Sequence, residues 1–149
     1  MTKSEEAFQK WLDSNSYSYL FVEQSPETYA RAFRDKGKRP DFLILLNRVG
    51  VIAADVKEKK PSANMGHFIL DEDREVRKSL EFEKAFKLPS WFVFGNPDDH
   101  YRTWSWISLH SVLNCPVRTN SNKEKFRAIS PSATIVIQAN RDSISRIVQ

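Results

Sequence analysis

From Asp41 to Lys57 the chain reads DFLILLNRVGVIAADVK, two apolar stretches joined by residues that favour a turn. Each stretch is too short for a buried helix and is rich in aliphatic and β-branched side chains, so each is expected to be a strand. Asn47 and Gly50 suit a reversal of direction between them. The apolar residues run on almost without alternation, the pattern of strands covered on both faces. Such a hairpin is not stable alone in water and requires a larger sheet with other elements packed over it.

The two ends of this hairpin break the apolar pattern. Pro40-Asp41 opens it and Asp55-Val56-Lys57 closes it. With the turn centred near residues 48 and 49, facing residues have numbers that sum to about 97, which sets Asp41 opposite Val56 and diagonal to Asp55 and Lys57. A shift of one residue puts Asp41 directly opposite Asp55, so the two carboxylates approach in either register. Side chains alternate along a strand, so Asp55 and Lys57 share a face, roughly 7 Å apart. Facing carboxylates repel unless a proton or a cation lies between them. A hard divalent cation held by carboxylates, water and phosphate oxygens meets that need. Lys57 beside it would place positive charge near a scissile phosphate. Taken singly, Asp41 is a turn residue and Asp55 with Lys57 a solvated ion pair worth little. Taken together, they are equipped for metal-assisted hydrolysis of a phosphodiester.

The flanking elements are legible too. In TKSEEAFQKWLDSN, Thr2 and Glu5 fit a capping box, and Phe8, Trp11 and Leu12 share one helical face. Glu5 lies on that same face and is the natural third carboxylate; Glu6 takes its place if the helix rolls. YSYLFVE reads as a strand and SPETYARAF as a short helix with Pro26 at its first position. LDEDREVRKSLEFEKAFKLP is expected to be the longest helix, capped by Asp71, with Val76, Leu80 and Phe86 inward. Its leading acidic residues suit the helix dipole and call for no metal. SWFVFG and YRTWSWISL read as strands, SLHSVLN as a short helix and ATIVIQA as a last strand. The whole is one α/β domain over residues 1–149, with a core of about 2–110 and a C-terminal extension of about 111–149.

At these positions the sequence resembles the PD-(D/E)xK nuclease superfamily. Pro40-Asp41 matches the first part of that motif, Asp55-Val56-Lys57 the second, and Glu5 the acidic residue that many members carry on their first helix. The resemblance spans roughly residues 2–94. It implies a restriction-endonuclease-like fold with an α-β-β-β-α-β core, a central mixed sheet flanked by helices. It implies Mg²⁺- or Mn²⁺-dependent cleavage of DNA, less often RNA. Asp41 and Asp55 would then be metal ligands with the backbone carbonyl of Val56 and a contribution from Glu5, while Lys57 serves the attacking water. Small members resembling Holliday-junction resolvases share the RPDF…VK pattern, and some carry a glutamine on the following helix, where this chain has none.

Charge supports a polyanionic partner. The net charge is +4, and Arg31, Arg34, Lys36, Lys38 and Arg39 crowd the approach to Asp41, with Lys59 and Lys60 beyond Asp55. Basic groups around a small acidic site favour nucleic acid. Arg118, Lys123, Lys125 and Arg127 form a further group, read equally well as solvated surface. One site cuts one strand, so a homodimer is expected where two strands are cut. The alternative is a catalytically silent binding or interaction module on the same fold, against which the intact motif residues argue.

Other chemistries find no support. Cys115 is the single cysteine, which excludes an internal disulfide and a cysteine cage. His67, His100 and His110 lack ligand spacing, and four glycines leave no phosphate-cradling loop. Trp104 and Trp106 share a strand face, more often core than a platform for bases. No apolar run approaches the roughly 20 residues of a membrane span, and the N-terminus lacks a signal-peptide core, so a cytoplasmic protein is expected.

Overall fold

The computed structural model describes residues 1–58 and 66–149, so Lys59 and Lys60 lie outside the described residues. The first element, α1 (Lys3–Ser14), starts as the sequence suggests. The Thr2 hydroxyl accepts from the Glu5 N–H at 3.1 Å, and the Glu5 carboxylate accepts from the Thr2 N–H at 3.3 Å. Phe8, Trp11 and Leu12 are buried beneath it. The Phe8 ring meets Phe42, Trp104 and Trp106 with centroids 5.2, 5.1 and 5.7 Å away. Both tryptophans are therefore core residues under α1, unavailable to stack on bases.

The main sheet is built from β1 (Tyr19–Phe21), β2 (Phe42–Leu46), β3 (Gly50–Glu58), β5 (Ser90–Gly95), β6 (Thr103–Ser108) and β9 (Ile135–Gln138), side by side in that order. All neighbours are antiparallel except β3 and β5, which run parallel. That parallel pair is joined through β4 (Phe68–Asp71), a wide π turn over Glu72–Val76, and α2 (Arg77–Phe86). A smaller sheet of β4, β8 (Lys125–Ile129) and β7 (Val117–Thr119) adjoins it, in the order β4-β8-β7. One face of the main sheet packs on α1. The other packs Phe92, Phe94 and Ile107 against Phe68, Leu70 and Val76, with Leu109 and Val112 of α3 (Leu109–Val112). Among the described residues no helix is long and apolar enough to cross a membrane.

The hairpin takes the shifted register. Phe42 faces Ala54 and Leu46 faces Gly50, so continuation of the ladder brings Asp41 opposite Asp55. The cause lies in the turn. Asn47 to Val49 reverse the chain with Arg48 left-handed at φ 66°, and Gly50 resumes the strand at φ 124°, which only glycine adopts without strain. Gly95 serves a different purpose: a Cβ there would stand 2.4 Å from the Trp104 ring, so its absence lets the indole lie against β5.

Several expectations are corrected. The hairpin is not covered on both faces throughout: Leu45 of β2 and Val51 of β3 remain exposed. On α2 it is Phe82, not Phe86, that turns inward; the two rings stack at 4.8 Å with Phe86 outermost. The segment after Ser25 forms only a 3₁₀ turn at Pro26–Thr28. Within residues 111–149, β9 completes the main sheet, and Ile144 and Ile147 enter the core beside Trp11.

Candidate active site

Asp41 sits one residue before β2. Its N–H donates to the Ala54 carbonyl at 3.0 Å, and its Oδ2 accepts from the Val56 N–H at 2.8 Å. The backbone of one strand thus fixes the carboxylate of the other. Asp55, 7% exposed, and Lys57 project from β3 on the α2 side, in register with Phe92 and Phe94 of β5. The cluster lies toward the carboxyl ends of two parallel strands, where open α/β sheets place their ligands. The Lys57 ammonium stands 3.4 Å from Asp55 Oδ2 and 2.5 Å from Glu75 Oε1. The Lys38 ammonium is paired with the same Asp55 Oδ2 and lies 5.7 Å from the Phe92 ring centroid.

Electrostatics separate the two carboxylates. Burial, and then the charge of Asp55, push Asp41 up to about 8, against the pull of the Val56 amide. Burial also works against an ionised Asp55, but the Lys38 and Lys57 ammonium groups and the bond with Asp41 outweigh it and hold Asp55 low. The pair therefore keeps one proton at neutral pH in the metal-free protein. Burial disfavours charge on Lys57 as well, yet Asp55 and Glu75 overcome it and keep the ammonium protonated well above its usual range.

The Asp41 shift has a measurable consequence. Its folded pKa exceeds the unfolded value of 3.8, so its contribution to stability is full below that value and is lost as pH rises toward about 8. In EDTA, the thermal midpoint of the wild type is expected to fall between pH 5 and 8. Asp41→Asn should flatten that slope and be the more stable protein at pH 8. Parallel slopes for the two proteins would contradict the assignment.

The residues expected from sequence are distributed as follows. Asp41, Asp55 and Lys57 converge. Glu5 does not join them: it is half-buried, its carboxylate serves the Thr2 N–H, and it reaches Asp41 only through charge. Arg31, Arg34 and Lys36 are exposed on the segment leading to the site. Arg39 is committed elsewhere, donating to Glu23 O, Thr28 Oγ1 and Ser25 O and lying 4.0 Å over the Tyr29 ring. Arg127, read with the C-terminal basic group, is buried against Glu72. Lys38 stands in the site itself rather than at its rim. Glu75 was not anticipated, since the acidic run before α2 is accounted for by capping. Asp71 does cap that turn, accepting from the Arg74 N–H at 2.7 Å, while Glu75 reaches Lys57.

A metal would find oxygen donors here. Among the described residues, no three His, Cys, Asp or Glu side chains are grouped so as to hold an ion by themselves. Two facing carboxylates form the sparse oxygen set that suits Mg²⁺ or Mn²⁺ completed by water and phosphate. The donor set fits.

A mixed sheet whose second and third strands carry this site, with a helix over one face, is the restriction-endonuclease-like fold. The Holliday junction resolvase Hjc of Archaeoglobus fulgidus superposes with a TM-score of 0.55 at 16% identity, over 86% of this chain and 88% of that one. A nuclease from a fusselovirus gives a TM-score of 0.47 at 15% identity, over 87% of this chain and 77% of that one. No family model and no curated protein matches the sequence.

Proposed function

We propose that the chain is a divalent-metal-dependent endonuclease that hydrolyses phosphodiester bonds of DNA. The observation that carries this reading is the approach of Asp41 to Asp55 on adjacent strands with the Lys57 ammonium on the same carboxylate. Asp41, Asp55 and the Val56 carbonyl would hold Mg²⁺ or Mn²⁺. Bound there, the ion would lower the pKa of a water and neutralise charge developing on phosphate. The protein's own part is defined by its proton inventory. The Asp41–Asp55 pair must release its proton before both can act as ligands. Lys57, kept charged by Asp55 and Glu75, would donate hydrogen bonds and charge to phosphate oxygens or the attacking water. Arg31, Arg34 and Lys36 would contact the backbone of the nucleic acid, giving affinity that falls with salt. DNA is favoured over RNA by the resolvase likeness of the fold, and paired strand cuts would require two copies of the chain.

The test uses supercoiled plasmid, single-stranded DNA and a four-way junction, each with Mg²⁺ or Mn²⁺ and then with EDTA. Metal-dependent nicking is expected. Retention of DNA without cleavage in either metal would instead support a silent binding module. Sedimentation of the protein with and without junction DNA would establish whether it acts as a dimer.

A further inference from the structure

Two lysines, not one, meet Asp55, and they are held differently. Lys57 lies within β3 and has a second anchor in Glu75 on the turn before α2. Lys38 comes from the irregular segment before β2, and among the described residues its one carboxylate partner is Asp55. Its side chain remains 23% exposed, facing a small cavity lined by Pro40, Ser79, Phe82, Ser90 and Phe92. Asp55 is a buried carboxylate whose neighbour Lys57 is shared with Glu75, and an uncompensated charge there is costly. Lys38 supplies the missing cation. It does so on the oxygen that a metal ligand must free.

Resting on the function proposed above, we propose that Lys38 is a second active-site lysine: it occupies the cation position on Asp55 in the metal-free protein, and metal loading displaces its ammonium toward the phosphate of bound DNA. Lys57 keeps its place through Glu75 and stays beside Asp55, whereas Lys38 has a loop backbone that permits withdrawal. Competition and delivery are then two uses of the same side chain. Removing it should make the ion bind more tightly and the nucleic acid less tightly.

The experiment measures Mn²⁺ binding to the protein alone by loss of the free-ion EPR signal, and junction DNA binding in Ca²⁺. Lys38→Met is expected to bind Mn²⁺ about tenfold more tightly than wild type and DNA several-fold more weakly. Lys38→Arg, which keeps the charge, should stay near wild type in both, and Asp55→Asn should lose the ion. Equal or weaker Mn²⁺ binding by Lys38→Met, or unchanged DNA binding, overturns the proposal, even where wild type cleaves DNA. Absence of Mn²⁺ binding in both wild type and Lys38→Met overturns it together with the metal-dependent function. Should Lys38→Met fold poorly by circular dichroism, Lys38→Gln is read in its place.

Discussion

Lys57→Ala should cut the rate of DNA cleavage about 100- to 1,000-fold while leaving DNA binding nearly intact, the loss typical of a charge-stabilising donor removed from a preorganised site. The side chain is held between Asp55 and Glu75 at 3.4 and 2.5 Å, so its position is set before substrate arrives and no reorganisation is needed during the reaction. Lys57→Arg should rescue little, because a planar guanidinium does not fit a slot shaped around one ammonium. Glu75→Gln provides the companion measurement. It keeps the shape of the lysine's second anchor but removes its charge, so it should lower kcat with little change in KM. Asp55→Asn should be more severe than any of these, with cleavage below detection. It halves the carboxylate pair and leaves Lys38 without its acidic partner. Single-turnover cleavage of a labelled junction, read beside gel-shift affinity, separates these outcomes. A Lys57→Ala enzyme within tenfold of wild type would remove the lysine from the chemistry.

How much of this was legible before the fold was known depends on the kind of signal. The hairpin and its charged ends are readable because two continuous apolar runs flank turn residues, and either of two registers brings Asp41 and Asp55 together; the turn geometry at Arg48 and Gly50 chooses between them. The capping box of α1 was readable because it is local. Glu75 was not. A regular helix starting at Asp71 gives its leading carboxylates to the dipole, whereas the π turn over Glu72–Val76 alters the spacing and sends neighbouring acids to different partners, Glu72 to Arg127 and Glu75 to Lys57. Lys38 and Arg39 read alike in the sequence, as basic groups suited to nucleic acid, because sequence records sign but not direction. One faces Asp55 and the other ties down the Glu23–Thr28 loop. The small sheet was missed for a related reason: β4 is four residues long and β7 three, too short for a periodic pattern, and they are held by pairing with β8 far along the chain.

Beside that pairing lies Arg127 of β8, whose removal carries a large expected stability effect. Its Nε and Nη2 donate to Glu72 Oε2 and Oε1 at 2.6 and 3.0 Å, and its Nη1 to the Leu113 and Cys115 carbonyls at 3.2 and 2.9 Å. The two side chains are only 9% and 5% exposed. Arg127→Met should therefore cost about 3–5 kcal/mol, since it strands a carboxylate and two carbonyls together. The cost is tempered by Arg77, whose Nε lies 3.0 Å from Glu72 Oε1 and remains. Glu72→Gln should cost less, because an amide oxygen still accepts from the guanidinium. The double variant Glu72→Leu/Arg127→Met should cost less than the sum of its singles, and urea midpoints at unchanged slope would show it. Hydrogen bonds from Arg127 hold the Glu72 carboxyl below its usual 4.5, so the pair's contribution is present above that pH and is lost as pH falls through the lower folded value. Acid sensitivity in that range should shrink in Arg127→Met. A change of under about 1 kcal/mol in that variant would class the pair with exposed ion pairs. The same turn carries Glu72 toward β8 and Glu75 toward Lys57. If Lys57 acts as proposed, a folded Arg127→Met protein should thus also show a modest fall in kcat, reporting that the Glu75 anchor of Lys57 has loosened.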